Sequence, residues 1–396
     1  MTTPSTSREA LGVFPIQPSC SRNVSWLAVV AFAGWAGCSF NASAPGNNGN
    51  HDASVAVGDG PAAPPIDAPP GATCYGPAGW QACFTTLPAG AKMLPKDINT
   101  DGGAPCVAPP AGWGAPQPAA CFIIGDTITV PGTGTTATGR KPLVLVAKSL
   151  ITVTGELDFV TKGAPPTECQ MFGKDPNPAA VGNVGGGGGA GGSFVTQAGN
   201  GGNGDKGSQN GQAGPFDVAA PSYLRGGCPG QAGGAAQAND AGPVGLGGSS
   251  VYLLSGGEIA LQGSINASGT GGGGGDKRAG GSGGGSGGMI VLFGATITIA
   301  AAPAPVLIAN GGGGGGGSIG NKAGPGSDPS VASATTPTPG SGNGGNGYPA
   351  TANALDGNGG AGTGEGGGGG GGAAGYIQSN RPLTGATVSP SVTLYP

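Results

Sequence analysis

The fold is decided by the stretch PLVLVAKSLITVTGELDFVTKG, which occupies residues 142–163. Its segment I-T-V alternates apolar and polar residues with a period of two, which is typical of a strand with one buried face. Gly155 follows this segment, at a position where a turn with positive φ costs a glycine little. The stretch therefore predicts short strands that are joined by tight turns.

Three other stretches repeat this pattern. SVYLLSGGEIALQGSINASGTG begins at Ser250, GMIVLFGATITIAAAPAPVLIANGG begins at Gly288, and a looser copy, CFIIGDTITVPGTGTTATG, begins at Cys121. Because no single copy can bury its apolar face alone, we expect stacked copies to align like residues into ladders around one narrow core. The predicted ladders are Ile128, Ile151, Ile259 and Ile297; Val130, Val153, Leu261 and Ile299; Val146, Leu254 and Leu292; and Leu157, Ile265 and Leu307.

The predicted fold class is mainly β, a short and irregular right-handed parallel β-helix with long glycine-rich insertions. The separation of Ile128 from Ile151 is about the length of one turn of such a helix. The insertions fall between copies, at about residues 164–248, 269–286 and 311–372, and we expect them to leave the stack at one corner. They could be packed polyglycine or mobile loops, and the entropy that glycine loses on ordering favours mobile loops.

Composition excludes several classes of function. Glycine contributes 92 and proline 37 of the 396 residues, a proportion that is typical of low-complexity chains. Charged residues make up only 9% of the chain and the net charge is −4, so it has too few cations to neutralise many nucleic-acid phosphates. No glycine run is followed by the helical period that a phosphate-binding loop needs. We therefore expect no nucleic acid, no nucleotide and no cofactor.

The N-terminal region has the features of an export signal. Arg8 and Arg22 precede an uncharged apolar run, WLAVVAFAGWAG, which is too short to cross a membrane but has the length of a signal-peptide core. The run ends directly before Cys38, as bacterial lipoprotein signals end before the cysteine that is lipidated. We therefore expect residues 1–37 to be a lipoprotein-type signal peptide, Cys38 to be the lipidation site and the membrane to be a partner through the lipid anchor. Ordinary secretion and an accidental apolar run are the alternatives.

Three regions are predicted to follow the signal peptide. Residues 38–73 are rich in Pro, Ala, Gly and Asn without a hydrophobic period, which predicts a disordered tether. Residues 74–120 are predicted to be a Cys-rich segment that caps the stack and protects its edge strand, with Trp80 and Trp113 as core residues rather than platforms for sugar rings. Residues 121–396 are predicted to form the β-helix.

The cysteines after the lipidation site are disulfide candidates: Cys74, Cys83, Cys106, Cys121, Cys169 and Cys228. An even number of cysteines in an exported chain predicts disulfides, although six cysteines permit many pairings. Proximity in sequence favours the first with the second and the third with the fourth, which leaves the last two for each other. No metal site is expected, because there is no C-x-x-C pair and the single histidine, His51, lies in the tether.

As a set, several motifs resemble the glycine-rich, cysteine-containing predicted surface lipoproteins of myxobacteria. These motifs are GATCYGPAGWQACF, PLVLVA with ITVTGELD, YLRGGCPGQAGG, VYLL with GSINASG, and SGGMIVL. The resemblance extends from about Asp67 to the C-terminus. Because that family has no assigned activity, the resemblance implies an architecture and a location at the outer membrane or cell surface, and it implies no chemistry.

The expected function is therefore non-enzymatic. We expect a structural or adhesive surface lipoprotein whose glycine-rich loops contact polysaccharide or extracellular matrix through exposed backbone groups. The alternative is a carbohydrate-active protein, a polysaccharide lyase or hydrolase, with Glu156 and Asp158 as its candidate carboxylates. Their counterparts in the next copy are Ser264 and Asn266, so turn-forming polar residues suffice there and no catalytic residue is predicted. A low-complexity spacer without a folded core is the third hypothesis.

Overall fold

The computed structural model describes residues 69–114, 116–161, 169, 172–179, 184–216, 221–237, 239–338, 340–348 and 353–395. The expected signal peptide, the lipidation site Cys38 and nearly all of the expected tether lie outside these residues. Within the described part of the chain, no helix has the length and hydropathy of a membrane span.

The described residues are mainly β, as the sequence predicts. In chain order the strands are β1 (Thr73–Tyr75), β2 (Ala82–Phe84), β3 (Ala91–Met93), β4 (Asp97–Asn99), β5 (Cys121–Val130), β6 (Thr135–Gly139), β7 (Leu143–Val153), β8 (Leu157–Thr161), β9 (Ser250–Leu261), β10 (Ile265–Asn266), β11 (Met289–Ile299), β12 (Val306–Ile308), β13 (Tyr376–Ser379), β14 (Thr387–Ser389) and β15 (Val392–Leu394). Two short 3-10 turns, Asp205–Gly207 and Val331–Ser333, lie between them.

Two parallel sheets contain all the strands from β3 onward. The seven-stranded sheet has the order β15-β13-β11-β9-β7-β5-β3, and the six-stranded sheet has the order β14-β12-β10-β8-β6-β4. The chain alternates between the sheets, so each pass adds one strand to each of them, and every pairing within them is parallel. This arrangement of parallel sheets is compatible with a β-helix-like class.

Three of the four predicted ladders have the predicted register. Ile128 pairs with Ile151, which pairs with Ile259, which pairs with Ile297. The ladders that begin at Val130 and Leu157 are paired in the same way. The first three members of the Ile128 ladder are fully buried in the core between the sheets, where apolar residues on each inner face can pack together.

The predicted ladder of Val146, Leu254 and Leu292 is wrong at its last member. Val146 pairs with Leu254 as predicted, but Leu254 pairs with Phe293, and Leu292 pairs with Leu253. The register between β9 and β11 shifts at a bulge, where two glycines of β9 lie opposite the single residue Ala295. An alignment by fixed spacing cannot include such a bulge, because one extra residue displaces every pair beyond it.

The parallel stack begins earlier than residue 121. The segment at residues 74–120 supplies β3 and β4, the first strand of each sheet, and Leu94 and Ile98 enter the buried core. The remainder of this segment covers the outer face of the seven-stranded sheet. The segment therefore belongs to the stack and covers one face of it, but it does not protect the edge strand as predicted, because its own β3 and β4 are the edge strands of the two sheets among the described residues.

Aromatic residues fill the space between that segment and the sheet. The ring of Trp80 meets the fully buried ring of Tyr252 edge-on at 5.8 Å, and Trp113 stacks on the same tyrosine at 6.3 Å. The indole N–H of Trp113 donates to the carbonyl of Pro118 at 2.9 Å. Both tryptophans therefore pack as core residues.

The first halves of β7 and β9 are buried on both faces, which accounts for their unbroken apolar sequence.

Three disulfides cross-link the chain, Cys74–Cys83, Cys106–Cys121 and Cys169–Cys228. These are the pairs that proximity in sequence favours. Disulfides form and persist in oxidising compartments, so they indicate an exported protein.

Candidate functional site

The three glycine-rich insertions leave the stack at equivalent places. They connect β8 to β9, β10 to β11 and β12 to β13, so each leaves the six-stranded sheet and returns to the seven-stranded sheet. The preference for mobile loops is wrong for the described residues, because the extended segments of these insertions are hydrogen-bonded to one another and most of their residues are buried. We call them the glycine array, and they comprise residues 184–193, 198–204, 226–234, 242–248, 267–275, 280–288, 309–317, 340–348, 354–360 and 366–375.

The extended segment at residues 280–288 lies at the centre of the array, and we call it the central strand although it belongs to neither β-sheet. It donates hydrogen bonds to three neighbouring segments in turn. Each neighbour accepts from every third residue, which is the period of a polyproline II helix. The N···O distances are 2.7–3.0 Å, and the donor–acceptor pairs are Gly281 with Gly367, Gly284 with Gly370 and Gly287 with Ala373; Gly280 with Gly234, Gly283 with Gln231 and Ser286 with Cys228; and Ser282 with Gly273, Gly285 with Thr270 and Gly288 with Ala267.

Carbonyl groups of the same strand accept from three further segments. The pairs are Gly189 with Gly281 and Gly192 with Gly284; Gly245 with Gly283 and Gly248 with Ser286; and Gly312 with Gly285 and Gly315 with Ser282, the donor being given first. The central strand thus has six described neighbours, and all nine of its N–H groups donate inside the protein. This is the hexagonal packing of polyglycine II, built from one chain.

The close approach of neighbouring backbones explains why these positions are glycine. A Cβ atom on Gly284 would lie 2.1 Å from the carbonyl oxygen of Gly312, and one on Gly281 would lie 2.0 Å from that of Gly315. The central strand also contains two serines, and their hydroxyl groups form hydrogen bonds with the backbone of neighbouring segments. Ser282 Oγ donates to the carbonyl of Gly242 at 2.6 Å, and Ser286 Oγ accepts from the N–H of Cys228 at 2.7 Å.

The rim of the array, which we define as residues 354–363, is held by a repeated motif. The sequence NGGNG occurs at residues 200–204 and 343–347, and it places two asparagines three residues apart. The segment at residues 354–360 lies between the two copies: its amides at Gly357 and Gly360 donate to the carbonyls of the first, and those at Leu355 and Asn358 donate to the carbonyls of the second. The three-residue spacing of these asparagines is the sequence signal of packed order that was missed.

This packing changes the expected mode of binding. The central strand is buried and donates all its N–H groups internally, so it offers no N–H group to a polysaccharide. Exposed polar groups lie at the rim instead, where the side chains of Asp356, Asn358 and Thr363 face solvent. The array therefore combines a satisfied interior with a weakly charged polar edge.

The two candidate carboxylates lie near one another beside the six-stranded sheet. Asp158 pairs in register with Asn266, as predicted, and the amide of that asparagine stabilises its charged form. Burial raises the pKa of Asp158, and burial together with the charge of Asp158 raises the pKa of Glu156. Among the described residues, no group of three or more His, Cys, Asp or Glu side chains is arranged to hold a metal ion.

A cleft of about 430 Å³ beside the array was not indicated by the sequence. The Cys169–Cys228 disulfide, Phe172 and Pro215 line it, with Lys174 at its wall. Its wall residues are brought together by a disulfide that joins cysteines 59 residues apart, so no local sequence pattern marks the cleft.

No protein-family model, curated protein or solved structure matches this chain. Its function is therefore inferred from its own residues.

Proposed function

We propose that the chain is a non-enzymatic structural and adhesive lipoprotein of the cell surface. The observation that carries the proposal is the glycine array, in which three long insertions are joined to one another by backbone hydrogen bonds. Such cross-linking makes a stiff body, because no insertion can move without breaking bonds to the others. A stiff, weakly charged, exported body suits a structural role outside the cell.

In this proposal the two parallel sheets are sides of an irregular right-handed parallel β-helix, and the array extends from one corner of it. The regular alternation of the chain between the sheets supports this arrangement. Right-handed connections are the general rule for parallel strands of one sheet. The resemblance to myxobacterial surface lipoproteins belongs to the same proposal.

The proposed location is the outer membrane or cell surface, with a lipid on Cys38 as the anchor and residues 38–73 as the tether. The three disulfides support export. Mass spectrometry of the protein from native membranes tests the anchor: a diacylglyceryl group on an N-terminal Cys38 is the expected result, and an unmodified chain that retains residues 1–37 would contradict it.

The proposed adhesive surface is the rim of the array. Its exposed amide, hydroxyl and carboxylate groups can exchange hydrogen bonds with the hydroxyl groups of polysaccharide or with extracellular matrix. Deleting whole glycine tracts is a poor test, because the tracts are central strands whose loss would disrupt the array. Single side chains at the rim provide a better one.

The experiment compares binding of the native chain and of the double variant Asn358→Ala/Thr363→Ala to arrays of polysaccharide and to matrix preparations. We expect the native chain to bind and the double variant to bind more weakly with an unchanged unfolding midpoint. The control Thr296→Ala alters another exposed threonine, on the seven-stranded sheet, and should bind as the native chain does. If the double variant binds as strongly as the Thr296→Ala control and the native chain, the adhesive part of the proposal is removed. The same follows if the native chain binds none of these materials.

The carbohydrate-active alternative is favoured by one observation, the pair of neighbouring carboxylates with raised pKa values, Glu156 and Asp158. A turnover assay on a panel of uronic and neutral polysaccharides separates the two functions. The structural proposal predicts no turnover by the native chain. The alternative would be established if the native chain showed turnover that Glu156→Gln lost and Glu258→Gln retained. Glu258 serves as the control because its carboxylate in the native chain accepts a hydrogen bond from Thr298.

A further inference from the structure

Asparagine followed by glycine recurs along and beside the glycine array. Such pairs are chemically labile, because the backbone nitrogen of the glycine can attack the side-chain carbonyl carbon of the asparagine, and glycine has no Cβ to hinder the approach. The peptide between the two residues must rotate for this attack, so hydrogen bonds to that peptide oppose it. Among the described residues the pairs begin at Asn200, Asn203, Asn210, Asn310, Asn343, Asn346 and Asn358.

In five of these pairs the N–H of the glycine donates a hydrogen bond inside the protein. The donor–acceptor pairs, with N···O distances of 2.7–3.0 Å, are Gly201 with Gly211, Gly204 with Ser208, Gly211 with Gly188, Gly344 with Ser341 and Gly347 with Thr338. A nitrogen held in this way must lose its hydrogen bond before it can attack. The packing of the array therefore protects these five pairs.

A sixth pair is protected by its side chain. Asn310 is buried, and its Oδ1 accepts from the hydroxyl of Ser389 at 2.7 Å while its Nδ2 donates to the carbonyl of Ala334 at 2.9 Å. These two bonds fix the side-chain amide, so its carbonyl carbon cannot turn towards the nitrogen of Gly311.

The pair of Asn358 and Gly359, in the rim, has neither form of protection. Both residues are exposed, and neither the side-chain amide of Asn358 nor the N–H of Gly359 forms a hydrogen bond with a described residue. One bond holds the peptide between them, from the N–H of Gly368 to the carbonyl of Asn358 at 3.0 Å.

We propose that Asn358 is a site of spontaneous deamidation in the folded protein. The nitrogen of Gly359 loses its proton to solvent and bonds to Cγ of Asn358, the Cγ–Nδ2 bond breaks, and ammonia leaves after taking a proton from solvent. Water then adds to one of the two carbonyl groups of the resulting succinimide ring. Opening of the ring gives aspartate or isoaspartate at position 358.

The modification changes the edge of the array. An isoaspartyl link passes through the side chain of residue 358, so it adds one carbon atom to the backbone ahead of Gly359. Gly360, whose N–H donates to the carbonyl of Asn203 at 2.9 Å, lies directly beyond that link and is displaced by it. Deamidation thus loosens the rim with time and adds a negative charge, and it does not depend on the adhesive function proposed for that surface.

Asn203 is the matched comparison for Asn358. It is also exposed and also lies between two glycines, so local sequence does not distinguish the two sites. The peptide after Asn203 is held by two bonds, since the N–H of Gly204 donates to Ser208 and the carbonyl of Asn203 accepts from Gly360. The difference between the sites is therefore the hydrogen bonding of the attacking nitrogen.

Peptide mass spectrometry of the full chain, with its disulfides intact, measures the reaction at each asparagine. The protein is incubated in mildly alkaline buffer, which favours loss of the N–H proton, and is digested with pepsin at acid pH, where succinimide formation is slow. Fragmentation by electron transfer distinguishes isoaspartate from aspartate. Asn358 should deamidate at least about fivefold faster than Asn203, because one more hydrogen bond holds the peptide at Asn203.

The reduced chain in guanidinium chloride is the control, and there Asn203 and Asn358 should react at similar rates because no fold protects either of them. Equal rates in the folded chain would overturn the proposal. An Asn358 that stays unmodified for as long as the unfolded chain needs to react completely would overturn it too. A preference for Asn358 that persists in the unfolded chain would also count against it, because the fold would then not be the cause.

Discussion

Replacing Gly284 by alanine should destabilise the protein strongly, although it adds a single methyl group. The new Cβ would lie 2.1 Å from the carbonyl oxygen of Gly312, with further backbone atoms of that segment at 2.6 and 2.9 Å. Ordinary contact between such atoms requires a separation larger by more than about 1 Å. Since every close atom is backbone, the neighbouring segment must move as a whole.

The magnitude follows from three contributions. Overpacking of a dense interior costs about 3 kcal/mol when backbone has to shift. Moving Gly312 also strains two hydrogen bonds, from its N–H to Gly285 and to its carbonyl from Gly372, each worth about 1 kcal/mol. Alanine reduces the entropy of the unfolded chain and returns about 1 kcal/mol. The expected loss in the free energy of unfolding is about 4 kcal/mol.

Urea unfolding of the disulfide-intact protein measures this loss, and Gly320→Ala is the matched control. A Cβ at Gly320 meets nothing within 4 Å, so that variant should be unchanged or more stable by up to about 1 kcal/mol. If Gly284→Ala and Gly320→Ala differ by less than about 0.5 kcal/mol, the spread of ordinary surface substitutions, the close packing of the array is refuted.

Three other predictions concern the core, the disulfide and the half-buried carboxylate of Asp158. Ile151→Ala should lower the free energy of unfolding by about 2–5 kcal/mol, because Ile151 is fully buried, whereas Thr152→Ala on the same strand should change it little; urea unfolding compares the two. Replacing both Cys169 and Cys228 by serine opens a loop of 59 residues and should cost about 4 kcal/mol by chain entropy, so an unchanged thermal midpoint would contradict this estimate. Asp158→Asn should stabilise the protein at about pH 7 but not at about pH 3. Burial raises the pKa of Asp158 in the folded state above its ordinary value of 3.8, so the folded state binds the proton more tightly than the unfolded state does. The protein therefore loses stability as the pH rises from the unfolded-state pKa through the folded-state pKa of this carboxyl group. Equal effects at both pH values would argue against burial as the cause.

The ladders could be predicted because their information is local. The alternation around Ile151 and Ile259 fixes which side chains face inward, and equal spacing within each copy then fixes the register. The pairing of Leu292 could not be predicted in this way. Its register depends on whether the two glycines of β9 form a bulge, which the neighbouring strand decides.

The order of the glycine array could not be derived from local propensity. Local reasoning includes the entropy that each glycine loses, but the compensating bonds come from distant segments. Gly281, for example, donates to Gly367 and accepts from Gly189. The NGGNG repeats carry a signal of that order, because their period matches polyproline II rather than a strand or a helix. The cleft carries no such signal, since a disulfide between distant cysteines forms it.

Amide hydrogen exchange of the central strand tests the packed array most directly. Uniform ¹⁵N labelling allows Gly281, Gly284 and Gly287 to be followed alongside Ile151, which is paired with strands on both sides, and the exposed Gly320. The packed array predicts that the three central amides exchange as slowly as the amides of the sheets and far more slowly than Gly320. Exchange of the three central amides at the rate of an unstructured glycine would contradict it.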